Sequence, residues 1–425
     1  MRAAGRVQFR ACVKRTREEI AMANSTRKEE GPGKNGTKVA VACQGGGMHA
    51  AFAVGVFNEI LEAYGKKKFE LVGLSGTSAG ALCALMVWYG LAPKKNSSDS
   101  LDDRVKNAVS ALNKLWDDFV ARTSAENLFN LFAQGAFKAE EVEMPLLGLS
   151  AGAVALNPYS AGYQAITAWL PSLGIRKQYF DLEELLREAC PKFNEVDWPK
   201  VTTRVLIGAS EVVNGFETVF DSDVNKDPKQ EERRYWRERL PLCLSGVAAS
   251  GTLPVFREAQ RIGDGYYWDG LYSQNPPVRE FIAGTEEIPD ELWIIRINPQ
   301  QWPWPPKTHK DIEDRQNELM GNLSLNKELD FILKVNDWLG QYEEFGKKHK
   351  PVTIRTIKMN EKTADDLSYS SKFDRSADFM EMLRKQGSEV AKGWLANWPS
   401  RECYPEDAAY RPIKLIGPDL SGKKK

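Results

Sequence analysis

Hydrophobic positions near the front of the chain fall into two short unbroken runs, each ending in glycine and each followed by a helical pattern. Residues 38–43 (Lys-Val-Ala-Val-Ala-Cys) are β-branched and small, the composition and length of a buried strand. After Gly45, Gly46 and Gly47 the apolar residues Phe52, Val56, Ile60 and Tyr64 recur every fourth position, which predicts one buried helix face. Lys66, Lys67 and Lys68 close that helix, where cations suit its negative end. Residues 69–75 predict a second buried strand, and a second helix is expected from about 79 to 89. Two strand–glycine–helix units in succession imply a parallel α/β sheet with right-handed crossovers.

Beyond this the pattern changes. Residues 94–104 are polar and read as a loop, and 105–200 read as mostly helical with no strong strand signal. Strands are expected again at 203–207, 292–297 and 352–357, and helices at 311–347 and 373–397. Residues 221–234 are dense in charge and read as a solvated loop. The folded unit is expected to span 37–413 as one domain with a helical insertion, or lid, at 94–200. It would be flanked by a tail at 1–36 and a flexible basic tail at 414–425. The first 21 residues read either as part of that tail or as an over-extended start, with Met22 as the true first residue.

Composition narrows the class. In 425 residues, 42% are hydrophobic and 27% charged, the balance of a globular protein. Lys plus Arg equals Asp plus Glu at 58 each, so no global field favours nucleic acid. The six cysteines lack any C-x-x-C or zinc spacing, which points to a reducing, cytoplasmic setting. Residues 71–93 carry no charge, but their opening Leu-Val-Gly-Leu-Ser-Gly-Thr-Ser-Ala-Gly is a tight strand–turn–helix sequence, so they are read as core. The uncharged stretch 144–175 is broken by glycine and proline. It reads as ordinary core or as an apolar wall able to meet an acyl chain or, transiently, a membrane surface.

Chemistry concentrates in three places. Gly76-Thr77-Ser78-Ala79-Gly80 is a G-x-S-x-G between a predicted strand and a predicted helix, which would present the Ser78 hydroxyl on a sharp turn framed by Gly76 and Gly80. Gly45, Gly46 and Gly47 leave backbone N–H groups free to converge on an oxyanion. No G-x-G-x-x-G or phosphate-loop pattern competes, because position 50 is Ala. A base is offered by Asp269, or by its rival Asp264, in a loop-like stretch rich in turn residues. The three histidines are His49, His309 and His349. His49 reads as a helix-start residue that either packs or faces solvent. The other two, in Lys-rich polar surroundings, leave a Ser–Asp–His order only formally open.

Taken together, the glycine triplet, the G-x-S-x-G, the approach Ser250-Gly251-Thr252-Leu253-Pro254-Val255-Phe256 and Asp269-Gly270 before Asn275-Pro276 resemble the patatin-like phospholipases. The resemblance covers roughly residues 38–90 and 245–278. It implies a three-layer α/β/α fold and cleavage of acyl esters by a Ser/Asp dyad without histidine, metal or organic cofactor. Ser78 would be the nucleophile and Asp269 the base, with Gly45, Gly46 and Gly47 as the oxyanion hole. Lipid or another acyl ester would be the substrate, with contact at membrane surfaces transient. Two departures stand out: Met48-His49-Ala50 replaces the frequent x-Arg-Gly, and Leu271 follows the Asp-Gly. Transfer of the acyl group to another acceptor, or lipid binding without useful catalysis, are the alternative readings.

Overall fold

The computed structural model describes residues 36–140, 158–254, 257–282, 287–302, 305–342 and 349–399. Its centre is a ten-stranded mixed sheet in the order β10-β9-β1-β2-β3-β4-β6-β5, with β8 added to β3 and β7 to β8. The strands are β1 (Lys38–Cys43), β2 (Glu70–Thr77), β3 (Arg204–Glu211), β4 (Glu217–Asp221), β5 (Glu232–Arg234), β6 (Arg237–Pro241), β7 (Gln260–Ile262), β8 (Gly265–Asp269), β9 (Glu291–Arg296) and β10 (Thr353–Lys358). From β10 to β3 every pairing is parallel, and β4 and β8 both join β3 antiparallel.

Side-chain parity along the strands builds the layers. Successive residues of a strand face opposite sides, so Val39, Val41 and Cys43 enter one core while Ala40 and Ala42 enter another. In β9, Trp293 and Ile295 join the first core, and Leu292 and Ile294 the second. The first core is roofed by α1 (Ala51–Gly65), α2 (Ala79–Leu91), α3 (Leu101–Phe119) and α9 (Ala377–Asn397). The second is covered by α8 (His309–Gln341) through Leu325, Leu329 and Ile332. The result is the expected α/β/α sandwich. Strands buried on both faces explain the unbroken apolar runs.

All thirteen residues of α2 are buried, which accounts for the uncharged stretch at 71–93 without a membrane. Among the described residues no helix is long and apolar enough to cross one. Helices α1 and α9 approach so closely that a Cβ on Gly387 would stand 1.9 Å from the Phe52 carbonyl oxygen, and one on Gly55 2.0 Å from that of Arg384.

Between β2 and β3 the chain is helical, with α3, α4 (Ser124–Glu140), α5 (Ala161–Trp169) and α6 (Leu182–Ala189); residues 144–157 lie outside the described residues. Three expectations are corrected. Helix α3 starts at Leu101, inside the expected loop, because Ser100 and Asp103 form a reciprocal capping box. The charged stretch 221–234 is not a solvated loop. It holds a helical turn and β5, and Asp221 is fully buried against the Arg204 guanidinium at 2.6 and 3.0 Å. Residues 265–269 form β8 rather than a loop, and a short 3-10 turn continues to Tyr272.

Candidate active site

The site follows from a difference in strand length. Strand β2 pairs with β3 only as far as Thr77, opposite Gly208, and then turns away into α2. Strand β3 runs three residues further, and β8 takes up the vacated edge, with Asp269 opposite Ala209. The first residue after β2, Ser78, and the last of β8, Asp269, therefore arrive at one place, although far apart in the sequence.

At that turn Ser78 adopts φ +56° and ψ −130°, a left-handed backbone that a non-glycine residue rarely takes. Its neighbours leave no room to relax. A Cβ at Gly76 would stand 2.2 Å from the Gly80 carbonyl oxygen, and one at Gly80 2.3 Å from that of Cys43. The serine is half-buried and opens α2 as its N-cap residue. Its hydroxyl thus lies at the positive end of a buried helix.

Asp269 is 1% exposed. Its Oδ1 accepts from the Leu271 N–H at 2.8 Å, whereas Oδ2 is buried and makes no well-formed hydrogen bond. Burial pushes the carboxyl up to about 7, against the pull of the Ser78 hydroxyl, the Leu271 N–H and the Lys372 ammonium. Among the described residues no histidine is named with these groups. The rival Asp264 lies exposed in the turn between β7 and β8, away from this junction.

The glycine loop crosses directly over Ser78: a Cβ on Gly45 would stand 2.6 Å from the serine's Cβ. Its three N–H groups are not equivalent. The Gly45 N–H donates to Asn275 Oδ1 at 2.6 Å, so that donor is already engaged. Among the described residues no acceptor faces the N–H of Gly46 or Gly47. Gly47 has φ +55°, and a Cβ there would meet the Lys372 carbonyl oxygen at 2.4 Å. Buried amides fix the loop from both sides. Gln44 accepts from the N–H of Ile297 at 3.0 Å and donates to Asn322 at 3.0 Å, while Asn298 Nδ2 donates to the Gly45 carbonyl at 3.0 Å.

Of the two readings for His49, packed or facing solvent, the fold takes the packed one. It is buried, with Nε2 2.7 Å from the Ser371 hydroxyl, and burial and the Lys372 charge hold its pKa well below the usual value. The cation that the loop lacks at position 49 has a counterpart in Lys372, from the 3-10 turn Ser370–Phe373. Its ammonium donates to Asn298 at 3.1 Å and to Asn317, and burial lowers it to about 8, against the pull of Glu318, Asp314 and Asp269. Lys372, Asn298 and Gln44 carry no motif that sequence reading could have found. Asn275 did carry one, as the residue before Pro276.

The patatin-like phospholipase family model matches residues 41–282, a span that contains the glycine loop, Ser78 and Asp269. No curated protein matches the chain. Among solved structures it is similar to VipD from Legionella pneumophila, at 13% identity and a TM-score of 0.31, over 83% of this chain and 67% of that one. The family match extends over more than half of the sequence, and the chain belongs to the patatin-like phospholipase family.

Proposed function

We propose that the protein hydrolyses fatty-acyl esters of lipids through an acyl-enzyme on Ser78, with Asp269 as general base. The observation that carries this reading is the convergence, where β2 and β8 end on β3, of a serine on a strained elbow and a fully buried carboxyl whose pKa, about 7, suits a base at neutral pH. Ser78 Oγ attacks the ester carbonyl while Asp269 takes the hydroxyl proton. The tetrahedral oxyanion is met by the N–H groups of Gly46 and Gly47 and by the positive end of α2. Gly45 acts differently from its neighbours: with its N–H held by Asn275, it shapes the loop rather than binding the oxyanion. Asp269 returns its proton to the leaving alkoxide, then draws one from water, which attacks the acyl-serine and releases the fatty acid.

Asp269 Oδ2 makes no hydrogen bond here, and in a site without substrate the bond between base and nucleophile commonly forms only as the transition state is approached. Labelling with a fluorophosphonate, followed by fatty-acid release from phosphatidylcholine vesicles, tests the reading. Wild type should react, and Ser78→Ala and Asp269→Asn should do neither. A Ser78→Ala protein that still labels and still releases fatty acid would refute it. Labelling with release only in the presence of an acceptor alcohol would redirect it to acyl transfer.

A further inference from the structure

The C-terminal end of α7 (Leu244–Ser250) reaches the backbone of both Ser78 and Asp269. Ser250 is fully buried, and its Oγ accepts from the Ser78 N–H at 2.9 Å while donating to the Gly208 carbonyl at 2.6 Å. Two residues on, the Thr252 carbonyl accepts from the Asp269 N–H at 2.9 Å.

We propose that Ser250 is a positioning residue for the acyl-transfer site, holding Ser78 in its left-handed elbow so that the hydroxyl meets both Asp269 and the glycine-loop donors. The inference rests on Ser78 being the nucleophile. Where β2 leaves β3, the ladder that joined Thr77 to Gly208 stops, and an N–H and a carbonyl are left facing the interior. Buried backbone groups need partners. The Ser250 hydroxyl supplies both at once, standing in for the ladder bonds of a continuing strand. Few groups could replace it: the site needs an acceptor and a donor on one small atom, which among side chains of this size only a hydroxyl provides. Without it, the Ser78 N–H loses its anchor, and the strained φ has less to oppose its relaxation. The same segment fixes Asp269 through Thr252, so one short stretch sets the separation of the two reacting groups.

The full-length protein tests this with Ser250→Ala, Ser250→Cys and Thr203→Val. Thr203 provides a matched control, because its buried hydroxyl donates to the Leu71 carbonyl at 2.8 Å and links the same two strands at their opposite end. The readouts are the fluorophosphonate labelling rate, kcat and KM for p-nitrophenyl butyrate, and Tm. Ser250→Ala should lower labelling rate and kcat together by ~10–100-fold, with KM changed by less than about twofold, the pattern of a misplaced reacting group. Ser250→Cys, with its weak sulfur donor and acceptor, should fall between, and it carries the test if the alanine variant does not fold. Thr203→Val should lose a similar amount of Tm yet label at the wild-type rate.

Wild-type labelling in both Ser250 variants overturns the proposal. So does an equal labelling loss in Thr203→Val, which would make Ser250 a stability residue only. A Ser78→Ala protein that still labels removes the nucleophile assignment and this inference with it. A silent Ser78→Ala beside a fully active Ser250→Ala removes this inference alone.

Discussion

Replacing Asp269 by Asn should make the protein inactive and more stable, and the gain should depend on pH. In the fold the carboxyl titrates near about 7. In the unfolded chain it should return to roughly 3.9. Because the folded state holds this proton more tightly, the group's contribution to stability is full below about pH 4. It is lost as pH rises through the window from about 4 to about 7 and is constant above that. The window is about three units wide at ~1.36 kcal/mol per unit, so ionising Asp269 in place costs at most about 4 kcal/mol, and about 2–4 is expected. Asparagine keeps the shape and never ionises. Its amide oxygen can still accept from Leu271, and its Nδ2 can donate to the Ser78 oxygen where Oδ2 now makes no bond. With ~2.1 cal/mol/K of unfolding entropy per residue, 425 residues give about 0.9 kcal/mol/K, so Tm at pH 8 should rise by about 2–4 °C. At pH 5 about two-thirds of the window lies above the working pH, and the gain should shrink to about 1 °C. Thermal unfolding of wild type and variant at both pH values measures this. A variant less stable than wild type at pH 8, or a gain that ignores pH, would refute the idea that the site holds its base at the expense of the fold.

The same carboxyl should shape the rate profile: kcat/KM for a soluble ester should rise about tenfold from pH 6 to pH 8 as Asp269 ionises, whereas a profile flat from pH 5 to 8 would point to another base. Lys372→Met removes a cation that lowers the Asp269 pKa, so this limb should move to higher pH; an unmoved limb would mean that Lys372 does not act on the base. Gly387→Ala should destabilise the protein by at least ~1–3 kcal/mol in denaturant unfolding, because the added Cβ would overlap the Phe52 carbonyl, and a neutral result would mean that α1 and α9 separate easily.

How much of this was legible depends on where the signal lies. β1, β2, α1 and α2 were readable because buried strands and helices leave local patterns, and because Gly76 and Gly80 stand where backbones cross. Strands β5 to β8 were not, for two reasons. Arg237, Glu238 and Arg239 look solvated in isolation, but they pair with Glu280, Thr218 and Asp221 across the sheet. Gly263, Gly265 and Gly270 read alike as turn residues, yet only Gly263 has a positive φ. Gly265 and Gly270 are instead crowded, by the Tyr267 ring and by the Gly208 carbonyl. Ser78 and Asp269 could be singled out by motif. The division of labour within the glycine loop could not, since the partner that occupies Gly45 lies 230 residues away.

The strand that launches the glycine loop is flanked on both sides: β1 pairs with β2 and with β9, and β9 comes after residue 282, where the family match ends. A fragment that stops there would contain every proposed reacting group and still be crippled. From Val39 to Cys43, one side of the strand would present bare amide and carbonyl groups, an open template for adding a strand from another molecule. Such a fragment should elute as aggregates on size exclusion, whereas the chain through residue 399 should not. The last third of the sequence thus serves as the seam that closes the sheet against its own copies.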